Sequence, residues 1–150
     1  MATEIERKFL VTGDGFRREA TRSERIRQGY LSLRPEATVR VRVRSDKACI
    51  TVKGLTCGAS RSEWEYEVPK ADAEAMLALC EGAIVDKVRH LVPGPDGHVW
   101  EVDEFASPVA GLIVAEVELG GEDEAVALPS WTGREVTGDP RYYNSTFAQL

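Results

Sequence analysis

The sequence is poor in the residues that most directly announce a chemistry. Its three cysteines, Cys49, Cys57 and Cys80, are odd in number and show no CxxC spacing. That fits neither a disulfide framework nor a zinc site, and points to reduced thiols in a cytoplasmic protein. The only two histidines, His90 and His98, lack metal-ligand spacing, and His90 falls out of phase with Lys87 and Arg89. No stretch approaches the ~20 apolar residues of a membrane span, and no basic segment followed by an apolar run opens the chain, so membrane insertion and secretion are disfavoured. Positive charge is in deficit: 19 Lys and Arg stand against 25 Asp and Glu, a formal net charge of -6. This argues against a general nucleic-acid binder, whose affinity rests on clustered cations. Repeats, low-complexity tracts and linkers are absent, so the 150 residues read as one domain, 1-150.

What the chain does have is charge arranged in strands. With 43% hydrophobic and 29% charged residues it can build an ordinary core. Several short segments place like charges two residues apart: Glu4 and Glu6, Glu63 and Glu65, Glu101 and Asp103, Glu116 and Glu118 on the acidic side, and Arg40 and Arg42, and Lys87 and Arg89, on the basic side, joined by Lys53. A spacing of two puts each pair on one face of its strand.

Strand patterns cover 2–11, 25–33, 38–44, 48–53, 61–68, 84–92, 98–105 and 112–119. Residues 12–24, with Gly13-Asp14-Gly15, read as a mobile connection. From Lys70, Ala73, Met76, Leu77 and Cys80 take up helical spacing, with Gly82 as the stop. Shorter helices are expected at 122–127 and 142–148. About eight strands with few helices imply a mainly β (α+β) fold, an eight-stranded antiparallel barrel with helices packed outside.

A single Val-Arg-Val-Arg strand is most simply a half-exposed sheet with its arginines in water. Sign-segregated pairs on many strands are different, because a solvated face usually intermixes signs and like charges directly opposite repel. If the faces converge, the chain builds a charged interior in which Lys and Arg hold phosphate oxygens and Mg²⁺ or Mn²⁺ reconciles them with carboxylates. Arg7 alternates out of phase with Glu6 and Lys8 and reads as exterior. Trp64 and Tyr66 read as packing residues on the outer strand face.

Glu4-Ile5-Glu6-Arg7-Lys8 forms an ExExK strand. After it come Gln28-Gly29-Tyr30-Leu31, Arg40-Val41-Arg42, Thr51-Val52-Lys53-Gly54, Arg61 with Glu63 and Glu65, Lys87 with Arg89, Glu101-Val102-Asp103, Glu116-Val117-Glu118, the 131–137 tail and Asn144. In this order the set resembles the CYTH superfamily, the triphosphate tunnel metalloenzymes, and most closely its short bacterial members. The resemblance implies a tunnel that binds a triphosphate with divalent metal, and favours metal-dependent hydrolysis of inorganic triphosphate to diphosphate and phosphate. Carried over, it makes Lys8, Arg40, Arg42, Lys53, Lys87 and Arg89 the phosphate-holding residues. Glu4, Glu6, Glu116 and Glu118 would bind one metal, while Glu63 and Glu65 with Asp103 would hold a second or orient the attacking water, and Lys87 joins those three in the catalytic set. A homodimer is also implied. Other readings stay open: a class IV adenylate cyclase, a nucleotide or thiamine triphosphatase, a noncatalytic polyphosphate sensor, or a structural β-domain with solvated charges.

Overall fold

The computed structural model describes residues 2–150. Alternating strands pair in an antiparallel meander: β1 (Ala2–Val11), β2 (Arg22–Ser32), β3 (Thr38–Arg44), β4 (Lys47–Lys53), β5 (Ser60–Val68), β6 (Glu81–Pro93), β7 (Val99–Ser107) and β8 (Ile113–Glu118). The neighbour order is β5-β4-β3-β2-β6-β7-β8-β1, and β1 pairs back with β5, so eight antiparallel strands close into a barrel with no long free edge. A ninth strand, β9 (Thr132–Glu135), extends the sheet beside the second half of β1. Among the described residues no helix is long and apolar enough to cross a membrane.

Alternation decides which side chains leave the barrel. On the outer face Phe9, Val92, Trp100, Val102, Ala115 and Val117 form an apolar layer, covered by Phe16 and Trp131. A second outer layer, Val41, Val43 and Ala48, lies under Ala73 and Leu77 of helix α2 (Lys70–Leu77). Trp64 is half-buried on this outer parity, whereas Tyr66 is exposed and does not pack as expected. A third cluster, Tyr30, Val85, Phe105, Val114, Phe147 and Ala148, has the inward parity and fills one end of the barrel. Its last two members come from the C-terminal tail, a 3-10 turn (Pro140–Tyr142) followed by helix α3 (Asn144–Phe147).

The departures from the sequence reading have local causes. Residues 12–24 are pinned rather than free: Phe16, at 0% exposure, anchors a short helix α1 (Phe16–Glu19) against His90 and Trp131. Helix α2 stops at Leu77, before Gly82, which instead lies in β6 with φ +69. A Cβ there would meet Ala148 O at 2.0 Å, and the next residue donates Ala83 N to that same oxygen at 2.7 Å, so this glycine admits the tail. No helix forms at 122–127, where Asp96 accepts from Ala127 N at 2.7 Å and the Glu124 side chain turns back to accept from Gly120 N at 2.9 Å.

Candidate active site

The inward rows converge on a cavity of about 340 Å³, within the range of small-molecule sites. Lys8, Arg40, Arg42, Lys53, Lys87 and Arg89 line it together with Glu4, Glu6, Glu63, Glu65, Glu116 and Glu118. A second hollow, flanked by Arg22, Glu24 and Lys47, shares Arg44, Arg89 and Glu101 with the lining of the cavity. Arg44 is exposed and lines both hollows, whereas Glu67 is exposed outside the lining.

The cations on β3 and β6 are held in place. Arg42 Nε donates to Gln28 Oε1 at 2.8 Å, and Arg40 Nη2 to Thr51 Oγ at 3.2 Å. Lys87 Nζ donates to Asp103 Oδ2 at 2.7 Å, while Arg89 Nε and Nη2 reach Asp103 Oδ1 and Oδ2 at 2.8 and 2.9 Å. Burial, then Arg89 and Arg42, pushes the Lys87 ammonium down to about 7 against the pull of Asp103 and Glu116. Burial and the adjacent Arg40 and Arg89 likewise disfavour the charge of Arg42. Arg40 Nε is buried without a hydrogen-bond partner. Crowded cations with a spare donor form a ready anion site.

Among the carboxylates of β1, β5 and β8, Glu6, Glu63 and Glu118 are not settled in this way. Glu6 stands opposite Glu118 and, one strand over, Glu101 opposite Glu116, like charges in direct register. Burial and then Glu116 and Glu4 push the Glu6 carboxyl well above its usual range. Burial, a hydrogen bond to Glu4 and the Glu4 charge push Glu63 up to about 7, and burial with Glu4 and Glu101 raises Glu118. Glu4 itself goes to about 2, because the nearby Lys53 ammonium and the contact with Glu63 outweigh its burial. Its Oε2 lies 2.6 Å from Lys53 Nζ without hydrogen-bond geometry. Glu116 rests 3.4 Å from Lys8 Nζ. Among the described residues no three Asp, Glu, His or Cys side chains already converge as a metal cage. The donor set is nonetheless all-oxygen and self-repelling, a chemistry that fits a hard divalent cation completed by phosphate oxygens.

Asp103 lies behind the cavity wall. The sequence reading groups it with Glu63 and Glu65 as a metal ligand or water-orienting residue, but at 2% exposure both of its oxygens are taken by Lys87 and Arg89 and it does not line the cavity. Asp103 orients two cations from behind. The wall also contains residues given no role from sequence: Tyr30, Thr38, Arg61, Glu101, Tyr143 and Asn144. Arg61 precedes Glu63 by two, Thr38 precedes Arg40 by two, and Tyr30 shares parity with Gln28, so extending each alternating row finds them. Asn144, in the tail, offers no such signal. His98 pairs with Asp96 and Glu124 on the surface, away from this wall.

The CYTH domain model matches residues 2–143. The chain is similar to an inorganic triphosphatase of Acetivibrio thermocellus, 45% identical over 150 residues covering 99% of this chain and 95% of the relative. It is also similar to an inorganic triphosphatase of Nitrosomonas europaea, 38% identical over 97% of each chain. Among solved structures, that of the inorganic triphosphatase NE1496 aligns with a TM-score of 0.70 at 36% identity, covering 100% of this chain and 97% of that one. A putative adenylyl cyclase from Hippeastrum, described as having a dominant triphosphatase activity, shares the fold at 13% identity and a TM-score of 0.63, covering 79% of this chain and 80% of that one.

Proposed function

Because the chain belongs to the CYTH family, we propose that it is a hydrolase that splits inorganic triphosphate into diphosphate and phosphate with Mg²⁺ or Mn²⁺. The observation that carries the reading is the meeting, inside one closed barrel, of a tethered cationic wall with a self-repelling carboxylate wall. Triphosphate alone would satisfy the first and aggravate the second; triphosphate with a divalent cation suits both.

In this reading Arg40, Arg42, Lys53, Lys8, Lys87 and Arg89 bind the phosphate oxygens, with arginine forks gripping two oxygens at once. Their tethers to Gln28, Thr51 and Asp103 keep them from rearranging as the terminal P–O bond breaks, the preorganisation that makes charge stabilisation effective. Glu4, Glu6 and Glu118, with Glu116, would hold one cation, and Glu63 and Glu65 would hold another or orient the attacking water. The cation, when bound, neutralises phosphate charge and favours ionisation of water. The water oxygen forms the new bond to the terminal phosphorus and diphosphate leaves with the electron pair of the broken one. The buried Lys87 amine takes up a proton as the polyanion enters, since added negative charge raises its pKa from about 7.

The three free thiols support a reducing, cytoplasmic setting. The test is phosphate release from triphosphate, ATP and thiamine triphosphate with Mg²⁺, Mn²⁺ or chelator, with cyclic AMP monitored in the ATP sample. Metal-dependent turnover greatest with triphosphate supports the proposal. Tight binding without turnover makes the protein a sensor, and cyclic AMP as the product makes it a cyclase.

A further inference from the structure

Part of the cavity wall comes from the C-terminal tail rather than from the barrel, and one of its side chains, Asn144, is bonded into the cationic cluster. Asn144 opens α3, and its Oδ1 accepts two hydrogen bonds at 3.0 Å, from Gln28 Nε2 and from Lys87 Nζ. The assignment of its amide follows from its neighbours. Arg42 can only donate, so the oxygen of Gln28 must face it, at 2.8 Å, and the nitrogen of Gln28 must face Asn144. Two donors therefore meet on Asn144 Oδ1. Its Nδ2 points elsewhere, makes no hydrogen bond among the described residues, and belongs to a residue that lines the cavity.

Asn144 is held there from several sides. Ala83 N of β6 donates to Ala148 O at 2.7 Å, Phe147 packs edge-on against Phe105 of β7 at 5.1 Å, and Lys8 Nζ of β1 donates to Tyr142 O at 3.1 Å. A neutral amide also suits the charge at this spot. Asp103 and, at 3.1 Å from Arg89 Nη1, Glu101 already counter the cluster of Lys87, Arg89 and Arg42, and a further carboxylate would cancel the remaining attraction for phosphate. We propose that Asn144 is a positioning and substrate-binding residue: its carbonyl fixes the Lys87 ammonium and the Gln28–Arg42 pair, and its free amide donates to a phosphate oxygen. This deepens the triphosphatase reading and rests on it for the identity of the anion.

The experiment compares wild type with Asn144→Ala, Asn144→Asp and the exposed tail control Gln149→Ala. Triphosphate binding is measured by calorimetry in chelator, kcat and KM with Mg²⁺ or Mn²⁺, and folding by thermal melting. Loss of a hydrogen bond to a charged oxygen corresponds to about tenfold to a hundredfold weaker binding. The expected order of Kd is wild type, then Asn144→Ala, then the isosteric Asn144→Asp, which lacks the donor and adds a charge; KM follows the same order and Gln149→Ala matches wild type. Wild-type Kd in both Asn144 variants overturns the inference, as does a lowered melting temperature with Kd unchanged. Binding that follows the expected order without turnover in wild type overturns the hydrolase reading and leaves the role of Asn144 as an anion ligand standing. A wild type that binds no triphosphate overturns both.

Discussion

The two walls of the tunnel differ in how far the polypeptide alone satisfies them. On the basic side each buried cation finds a partner within the protein: Lys87 and Arg89 share Asp103, Arg42 holds Gln28, Arg40 holds Thr51. On the acidic side register sets Glu6 against Glu118 and neighbours push Glu6, Glu63 and Glu118 up. Burying a charge with its partner is tolerable, whereas burying like charges together is not, and proton uptake is how such a group escapes. The barrel therefore fixes its cationic half during folding and, in the proposed reading, leaves its raised carboxylates to be completed by ligand.

The sharpest way to break this contrast is to remove the internal partner of the basic wall. Asp103→Asn leaves Lys87 and Arg89 buried without their counter-charge, which costs about 3–5 kcal/mol of folding stability in denaturant titrations. The opposite wall gives the opposite result. Glu6→Ala relieves a repulsion, so in chelator the variant is expected to melt no lower than wild type, while triphosphate turnover with metal falls by about 10²–10³. If Glu6→Ala destabilised the chelated protein as Asp103→Asn does, the acidic wall would be an ordinary structural network.

Acidity should separate the walls more gently. Glu63 binds protons up to about pH 7 in the folded protein but only to about 4.5 when unfolded, so between these values the native state holds more protons and stability falls as pH rises. Above pH 7 the sign reverses at Lys87: its folded value of about 7 lies below the usual 10.5, the unfolded chain holds more protons, and stability recovers as pH rises. Melting in chelator is thus expected to pass through a minimum near pH 7. Glu63→Gln flattens its acid limb and saturating Mg²⁺ removes it; a monotonic profile in chelator would contradict the assignment.

How much of this was legible depends on the period of the local structure. Glu4, Glu6, Lys8, Arg40, Arg42, Lys87 and Arg89 announce themselves because strand alternation is a rule of two, and closure turns a common face into a common cavity. Alternation gives the face but not the depth. Asp103 shares parity with Glu101, yet register puts it beside Arg89 and below the cavity surface, which only the pairing of β6 with β7 decides. β9 escaped because Thr132-Gly133-Arg134-Glu135 has no apolar alternation and exists by hydrogen-bonding to β1. Asn144 escaped because its role is made by the contact of Ala148 with Gly82, more than sixty residues back along the chain.

The smallest expected effect lies one residue away from the active wall. Arg7 sits between Glu6 and Lys8 but points outward, where its Nη2 meets Glu135 Oε1 at 2.8 Å and its Nε meets Oε2 at 3.0 Å. The geometry is as good as that of Arg89 with Asp103, but these side chains are 29% and 38% exposed, so water screens the attraction and solvates each partner when the other is gone. Glu135→Ala is expected to change stability by only about 0.2–1 kcal/mol, less at high salt, with triphosphate turnover unaltered. The same ion-pair chemistry on one barrel thus spans a severalfold range of consequence, and the side of the strand on which it falls, rather than the number or length of its hydrogen bonds, sets the difference.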